Sequence, residues 1–143
     1  QKLHFKMKKI YSRVSPKELL HLIYPLNNND QTERVNVAPE DEYLQLAVLK
    51  MNKGRTFMPH KHIIKEKITD IAQESWIVFR GAVECIFYDL DDTIITKEII
   101  RAGDISMTFR GGHNYRIIED NTIVYEYKTG PYLGVEFDKK FIK

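Results

Sequence analysis

From Val35 onward, turn residues interrupt the chain at short, regular intervals that suit β-strands. The run "YLQLAVLKM" meets "NKG", "ESWIVFRG" leads into "AVECIFYDL", and "DD" separates that from "TIITKEII". "RAGD" then precedes "ISMTF", "GGHN" interrupts, and "TIVYEYK" closes the series before "TGPY". These runs are rich in Ile, Val, Phe, Tyr and Thr and carry no helical period. Antiparallel strands at this spacing predict an all-β barrel or sandwich. The chain has 143 residues, enough for one domain with a single core, and it contains no repeat or low-complexity tract.

Before residue 35 the signals change. In "SPKELLHLIY", Ser15 stands at a helix N-cap, Pro16 at the first helical position and Glu18 where a capping box places its acid. Leu19, Leu22 and Ile23 form one apolar face, and Pro25 with the polar run "NNND" ends it. The expectation is a short helix in an N-terminal extension, residues 1–34, followed by a β domain over residues 35–143. "MKKIY" from Met7 reads as the native start, with the residues before it appended.

Lys and Arg total 22 against 20 Asp and Glu, a formal charge of +2. That balance gives no electrostatic case for nucleic acid or an anionic membrane. The basic start "QKLHFKMKK" reads as a solvated tail with no apolar stretch after it to make a secretory signal. No apolar run reaches the length of a membrane span. Cys85 is the single cysteine, which rules out an internal disulfide and a thiolate-rich metal site. It reads as a small core residue. The expectation is a cytoplasmic protein. The aspartates of "DLDDTIITKEII" stand at EF-hand-like spacing, but Ile94 and Ile100 occupy the positions of the required glycine and glutamate, so a hairpin turn explains them better.

His60 and His62 lie two apart, so on an extended chain both imidazoles leave one face. Pro59 suits the start of a strand. Flanked by Lys61 and Lys65, the tripeptide alone reads equally as a surface loop. Glu66 and Glu74 follow, and either could complete a metal site with the histidines. In "TIVYEYK", Glu126 and Lys128 share one strand face and Tyr125 and Tyr127 the other.

The wider spacing resembles the cupin superfamily. Gly54, "RTFMP" and His60-Lys61-His62 follow the first half of its first motif, and Glu74, "SWIVFR" and Gly81 follow the second half. The gap between the halves is longer than cupins usually have. Glu66 stands at the usual distance, but Gln73 occupies the place of its turn glycine and the following "KITD" reads as loop. Glu74 opens a run that puts Glu74, Trp76 and Val78 on one face, with Gly81 at a hairpin. The resemblance therefore favours Glu74, with residues 63–73 as an inserted loop, either a rim over a pocket or a solvated excursion. The second motif matches in part: Gly103 and "DISMT" fit, Phe109 replaces proline, and His113 comes one residue before the slot that Asn114 fills. Imidazole is the better ligand for a transition metal, which favours His113. "FRGGHNY" and "YEYKTGPYLGVEFDKKF" are similar to small cupin metalloproteins of bacterial surface-polysaccharide and sugar-nucleotide pathways.

The resemblance implies a double-stranded β-helix, or jelly-roll barrel, with the first helix packed outside. It implies a divalent transition metal (Fe, Mn, Ni, Co, Cu or Zn) held by His60, His62, Glu74 and His113. Two functions fit. One is a metal-dependent enzyme that isomerises, epimerises or oxidises a small polar or sugar-derived molecule. The other is a non-catalytic metal- or carbohydrate-binding module. Glu126, Tyr115 and Lys128 are the candidate acid–base groups, with Tyr115 and Arg110 near His113 as candidate substrate contacts. A homodimer is expected, since cupins commonly pair.

Overall fold

The computed structural model describes residues 6–26 and 32–143, so His4 and the "NNND" run lie outside the described residues. The regular structure of the described chain is almost all strand. In order these are β1 (Lys8–Tyr11), β2 (Leu19–Tyr24), β3 (Arg34–Asn36), β4 (Ala47–Leu49), β5 (Glu74–Arg80), β6 (Ala82–Tyr88), β7 (Ile94–Arg101), β8 (Ile105–Thr108), β9 (His113–Ile117) and β10 (Ile123–Lys128). A single turn of helix, α1 (Val135–Asp138), follows. Every pairing is antiparallel. The strands form a five-stranded sheet ordered β1-β2-β8-β5-β10, a three-stranded sheet β7-β6-β9 and a separate β3-β4 pair, none of them closed into a barrel.

Two clusters of apolar side chains hold these sheets together. Ile10, Ile23 and Val78 from the five-stranded sheet meet Val83, Cys85, Phe87 and Ile100 from the three-stranded sheet. The opposite face of the five-stranded sheet, through Leu22, Tyr24, Ile105 and Met107, packs on Val37, Ala38 and Leu44. The five-stranded sheet is thus covered on both sides at its centre.

That double covering corrects the helix expected from Ser15. A strand buried on both faces has no polar side, so its sequence reads as an unbroken apolar run. "LLHLIY" is such a run, buried from Leu20 to Tyr24, and its apolar residues also satisfy a helical template. Tertiary burial decides between the two. The apparent capping residues instead shape a turn: Glu18 N–H donates to the Ser15 carbonyl at 2.9 Å, and Ser12 N–H to the Glu18 carbonyl at 3.0 Å. Asp89 secures this turn, accepting from Ser12 Oγ at 2.5 Å and from Arg13 N–H at 2.8 Å. Burial alone would raise the Asp89 carboxyl, but hydrogen bonds from Ser12, Arg13 and Leu90 hold it below the usual carboxylate range.

Asp89 also opens the β6–β7 hairpin turn, where its N–H donates to the Thr93 carbonyl at 2.7 Å and Asp92 takes a positive φ of 65°. The expected hairpin at Gly81 is different in kind. β5 and β6 belong to separate sheets, and the turn between them carries the chain from one sheet to the other. Gly81 has φ 89°, and a Cβ there would stand 2.2 Å from Thr122 Oγ1. Only glycine fits that crossing.

Leu22 is fully buried in the middle of the five-stranded sheet. Leu22→Ala is expected to lower the unfolding free energy by about 2–5 kcal/mol in urea denaturation. A loss well under about 1 kcal/mol would fit a helix packed outside the sheets instead.

Candidate functional site

A cavity of about 550 Å³ opens at one end of the two facing sheets. Its walls follow from strand register. On β5, Glu74 and Trp76 alternate onto the face that meets the three-stranded sheet, the face that also carries Val78. β10 pairs with β5 so that Lys128 stands opposite Glu74 and Glu126 opposite Trp76. From the three-stranded sheet, β9 contributes His113 and Tyr115, again two apart. The C-terminal segment around Asp138 to Ile142 lines the remaining side.

Across the sheets, His113 Nε2 meets Glu74 Oε2 at 2.6 Å. Burial pushes the Glu74 carboxyl upward, but the hydrogen bond and charge of His113, helped by Glu126 and Lys128, bring it below its ordinary value. Behind this pair the Trp76 and Tyr115 rings stack at 3.8 Å and 11°. Trp76 Nε1 donates to Glu126 at 2.9 Å, and Lys128 Nζ lies 3.2 Å from Asp138. Glu126 and Lys128 therefore line the cavity and do not point away from it. Tyr115, the other expected acid–base group, also lines the cavity. Its ring is covered by Trp76, its hydroxyl sits 3.3 Å from Ser106 Oγ, and burial pushes its pKa upward, so it stays protonated. Arg110 is also engaged elsewhere, on Glu42 at 2.8 Å.

The structure brings together two of the four expected metal ligands. Glu74 and His113 meet, and Asn114 instead folds its side chain onto its own strand, with Oδ1 accepting the Tyr115 N–H at 2.9 Å. His60 and His62 lie on residues 50–73, which form no strand. Both are exposed, with ring centroids 5.5 Å apart, and His60 Nδ1 is 2.9 Å from the Met58 carbonyl. Glu66 is exposed on the same segment. Among the described residues no three His, Cys, Asp or Glu side chains converge on one point. Cys85 is fully buried in the core, and its thiol is pushed up to about 12 by burial.

Two residues absent from the sequence reading of the site lie directly behind His113. Thr108, the last residue of β8, has Oγ1 at 2.8 Å from His113 Nδ1 and 2.9 Å from His21 Nδ1. His21 is wholly buried, stacks on Phe87 at 4.3 Å, and reaches the Tyr88 carbonyl through Nε2 at 2.9 Å. The only sequence signal for it was a histidine inside an apolar run, which a helix had absorbed.

Comparison with known proteins yields no match to a protein family, a curated protein or a solved structure.

Burial lowers the His21 pKa from its ordinary 6.5 to about 4, the nearby His113 adding to this while the Tyr88 carbonyl and Asp89 oppose it. Between these pH values the unfolded chain binds more protons than the folded one. Acidification from pH 6.5 to 4 should therefore remove stability, by at most about 3 kcal/mol from this group, and the loss should level off below 4. Denaturation midpoints across this range, with the His21 ring followed by NMR, check this. A His21 ring that titrates near 6.5 in the folded protein would contradict it.

Proposed function

We propose that the chain is a divalent-metal-binding jelly-roll protein of the cupin type that acts on a small polar, sugar-derived molecule. The observation that carries this reading is the Glu74–His113 pair, brought face to face from two different sheets at the wall of a polar cavity. An imidazole nitrogen and a carboxylate oxygen 2.6 Å apart must share a proton, and a divalent cation can take the place of that proton. The pair thus fits a metal.

His60 and His62 would complete the set. β9 carries His113 and is the outer strand of its sheet, with one edge unpaired among the described residues. Among the described residues, 51–73 form no strand, and Met58, Ile63 and Ile64 on them are 86%, 92% and 101% exposed. An open strand edge and uncovered apolar side chains both favour a docked strand. In this reading the His60-Lys61-His62 stretch adds to that edge, which also closes the jelly roll. Three imidazoles and one carboxylate form a borderline nitrogen–oxygen set for Fe, Mn, Ni, Co, Cu or Zn. The ion would supply a Lewis acid toward a ligand oxygen or an activated water. Glu126, held at the cavity wall by Trp76, carries protons to and from the ligand, which supports isomerisation, epimerisation or oxidation.

A non-catalytic metal- or carbohydrate-binding module is the second reading. One observation favours it: Glu126 and Lys128 are already engaged by Trp76 and Asp138. Proton exchange into deuterated solvent from a bound sugar-derived ligand separates the two, since only the enzyme catalyses it. The reading includes a homodimer, against which sedimentation as a monomer at micromolar concentration would count.

Protein purified without chelator should contain a divalent metal by mass spectrometry. Glu74→Gln, His113→Ala, His60→Ala and His62→Ala should each weaken binding by roughly tenfold or more, whereas Glu66→Gln and Asn114→Ala should stay near wild type. Metal retained in Glu74→Gln and lost in Glu66→Gln would overturn the assignment.

A further inference from the structure

The hydrogen bonds behind His113 run in one direction only. The Tyr88 carbonyl can accept but never donate, so His21 Nε2, 2.9 Å away, must carry a hydrogen. His21 is fully buried and neutral, which leaves its Nδ1 as a bare acceptor. Among the described residues the one group facing that nitrogen is Thr108 Oγ1 at 2.9 Å, whose single hydrogen is thereby spent on His21. Thr108 Oγ1 then offers only lone pairs to His113 Nδ1, 2.8 Å away, so His113 must donate from Nδ1. The nitrogen left to face Glu74 is Nε2.

From this we infer that Thr108 and His21 are positioning residues, which transmit the polarity of the Tyr88 carbonyl to His113 and hold its ring with Nδ1 protonated and Nε2 turned to the cavity. The backbone is shaped for the start of this relay. Gly111 has φ 79°, and a Cβ there would come within 2.7 Å of the Tyr88 carbonyl oxygen and 3.4 Å of His21 Nε2. The Tyr88 N–H in turn donates to the Gly112 carbonyl at 2.9 Å, which ties the glycine pair to the same residue.

The relay matters because the two neutral tautomers of His113 are opposite in function. With Nδ1 fixed as the donor to Thr108, the proton that Nε2 shares with Glu74 is the one a cation displaces, and Nε2 then offers its lone pair to that cation. With Nε2 protonated, the cavity meets only a donor. A free imidazole populates both forms, and the relay removes the wrong one before any ligand arrives. This consequence rests on the reading of His113 as a metal ligand; the tautomer itself does not.

The test has two independent readouts. In metal-free, 15N-labelled protein at pH 8, long-range 1H–15N correlation should show His21 protonated at Nε2 with a bare Nδ1, and His113 protonated at Nδ1. A bare Nδ1 on His113, or Nδ1–H on His21, would overturn the relay whatever happens with metal. The second readout is Co2+ affinity. Thr108→Val keeps the shape of the side chain and should release His113 to a mixture of tautomers, with Co2+ affinity reduced about 10–100-fold. Thr108→Ser keeps the hydroxyl and should restore both. Equal Co2+ affinity in wild type and Thr108→Val would remove the positioning role. Absence of Co2+ binding in wild type would instead sink the metal reading, and the tautomers would still decide the relay.

Discussion

The arrangement of this protein depends on one sheet being buried from both sides. The five-stranded sheet meets the three-stranded sheet through Ile10, Ile23 and Val78, and meets the segment around Val37 to Leu44 through Leu22, Tyr24 and Met107. Burying a large aliphatic side chain contributes about 1.5–3 kcal/mol, so the central strands β2 and β8 dominate cohesion. Both are buried almost throughout. Unpaired polar groups between the layers of such a sheet are costly, and among the described residues Tyr24 Oη and Tyr127 Oη are the buried side-chain polar atoms left without a partner.

The candidate site sits where polar groups nevertheless enter that interior. β8 points Ile105 and Met107 to one side and Ser106 and Thr108 to the other, toward the three-stranded sheet. Each hydroxyl finds partners across the layer, Ser106 with Tyr115 and Thr108 with both histidines. The Trp76–Tyr115 stack seals the apolar side of this row. The result is a graded interior, from the aliphatic cluster around Val83 and Phe87, through aromatic rings, to a carboxylate–imidazole pair at the cavity. In such surroundings hydrogen-bond direction is strongly enforced, because a reversed bond would leave two acceptors or two donors facing each other away from water.

Legibility in the sequence tracked how local each cause was. The alternation of Glu74, Trp76 and Val78 survives into the structure because a half-polar strand advertises its own period. The hairpin at Asp89–Thr93 follows from turn chemistry in adjacent residues. His113 could be set apart from Asn114 by donor chemistry, and it is His113 that meets Glu74. The reading failed at "SPKELLHLIY", where capping signals and an apolar run argued for a helix and double-sided burial imposed a strand. It failed also at Gly81, since a glycine turn looks alike whether it returns the chain to the same sheet or passes it to another.

The sequence by itself determined the strand-rich character of the chain, the turns that punctuate it, and which residue types could act together at a site. Those properties arise from φ/ψ preferences and side-chain alternation within a few residues, so they need no knowledge of neighbours. Only the tertiary structure decided that Leu19–Tyr24 is a central strand, that Glu126 and Lys128 face a cavity, and that His21 stands behind His113 through Thr108. Contacts between positions 21, 74, 108 and 113 come from three sheet pairings and one sheet-on-sheet packing. No local signal encodes such pairings, because the same alternating strand can bury its face against many partners and the lowest free energy is settled only when all the layers meet.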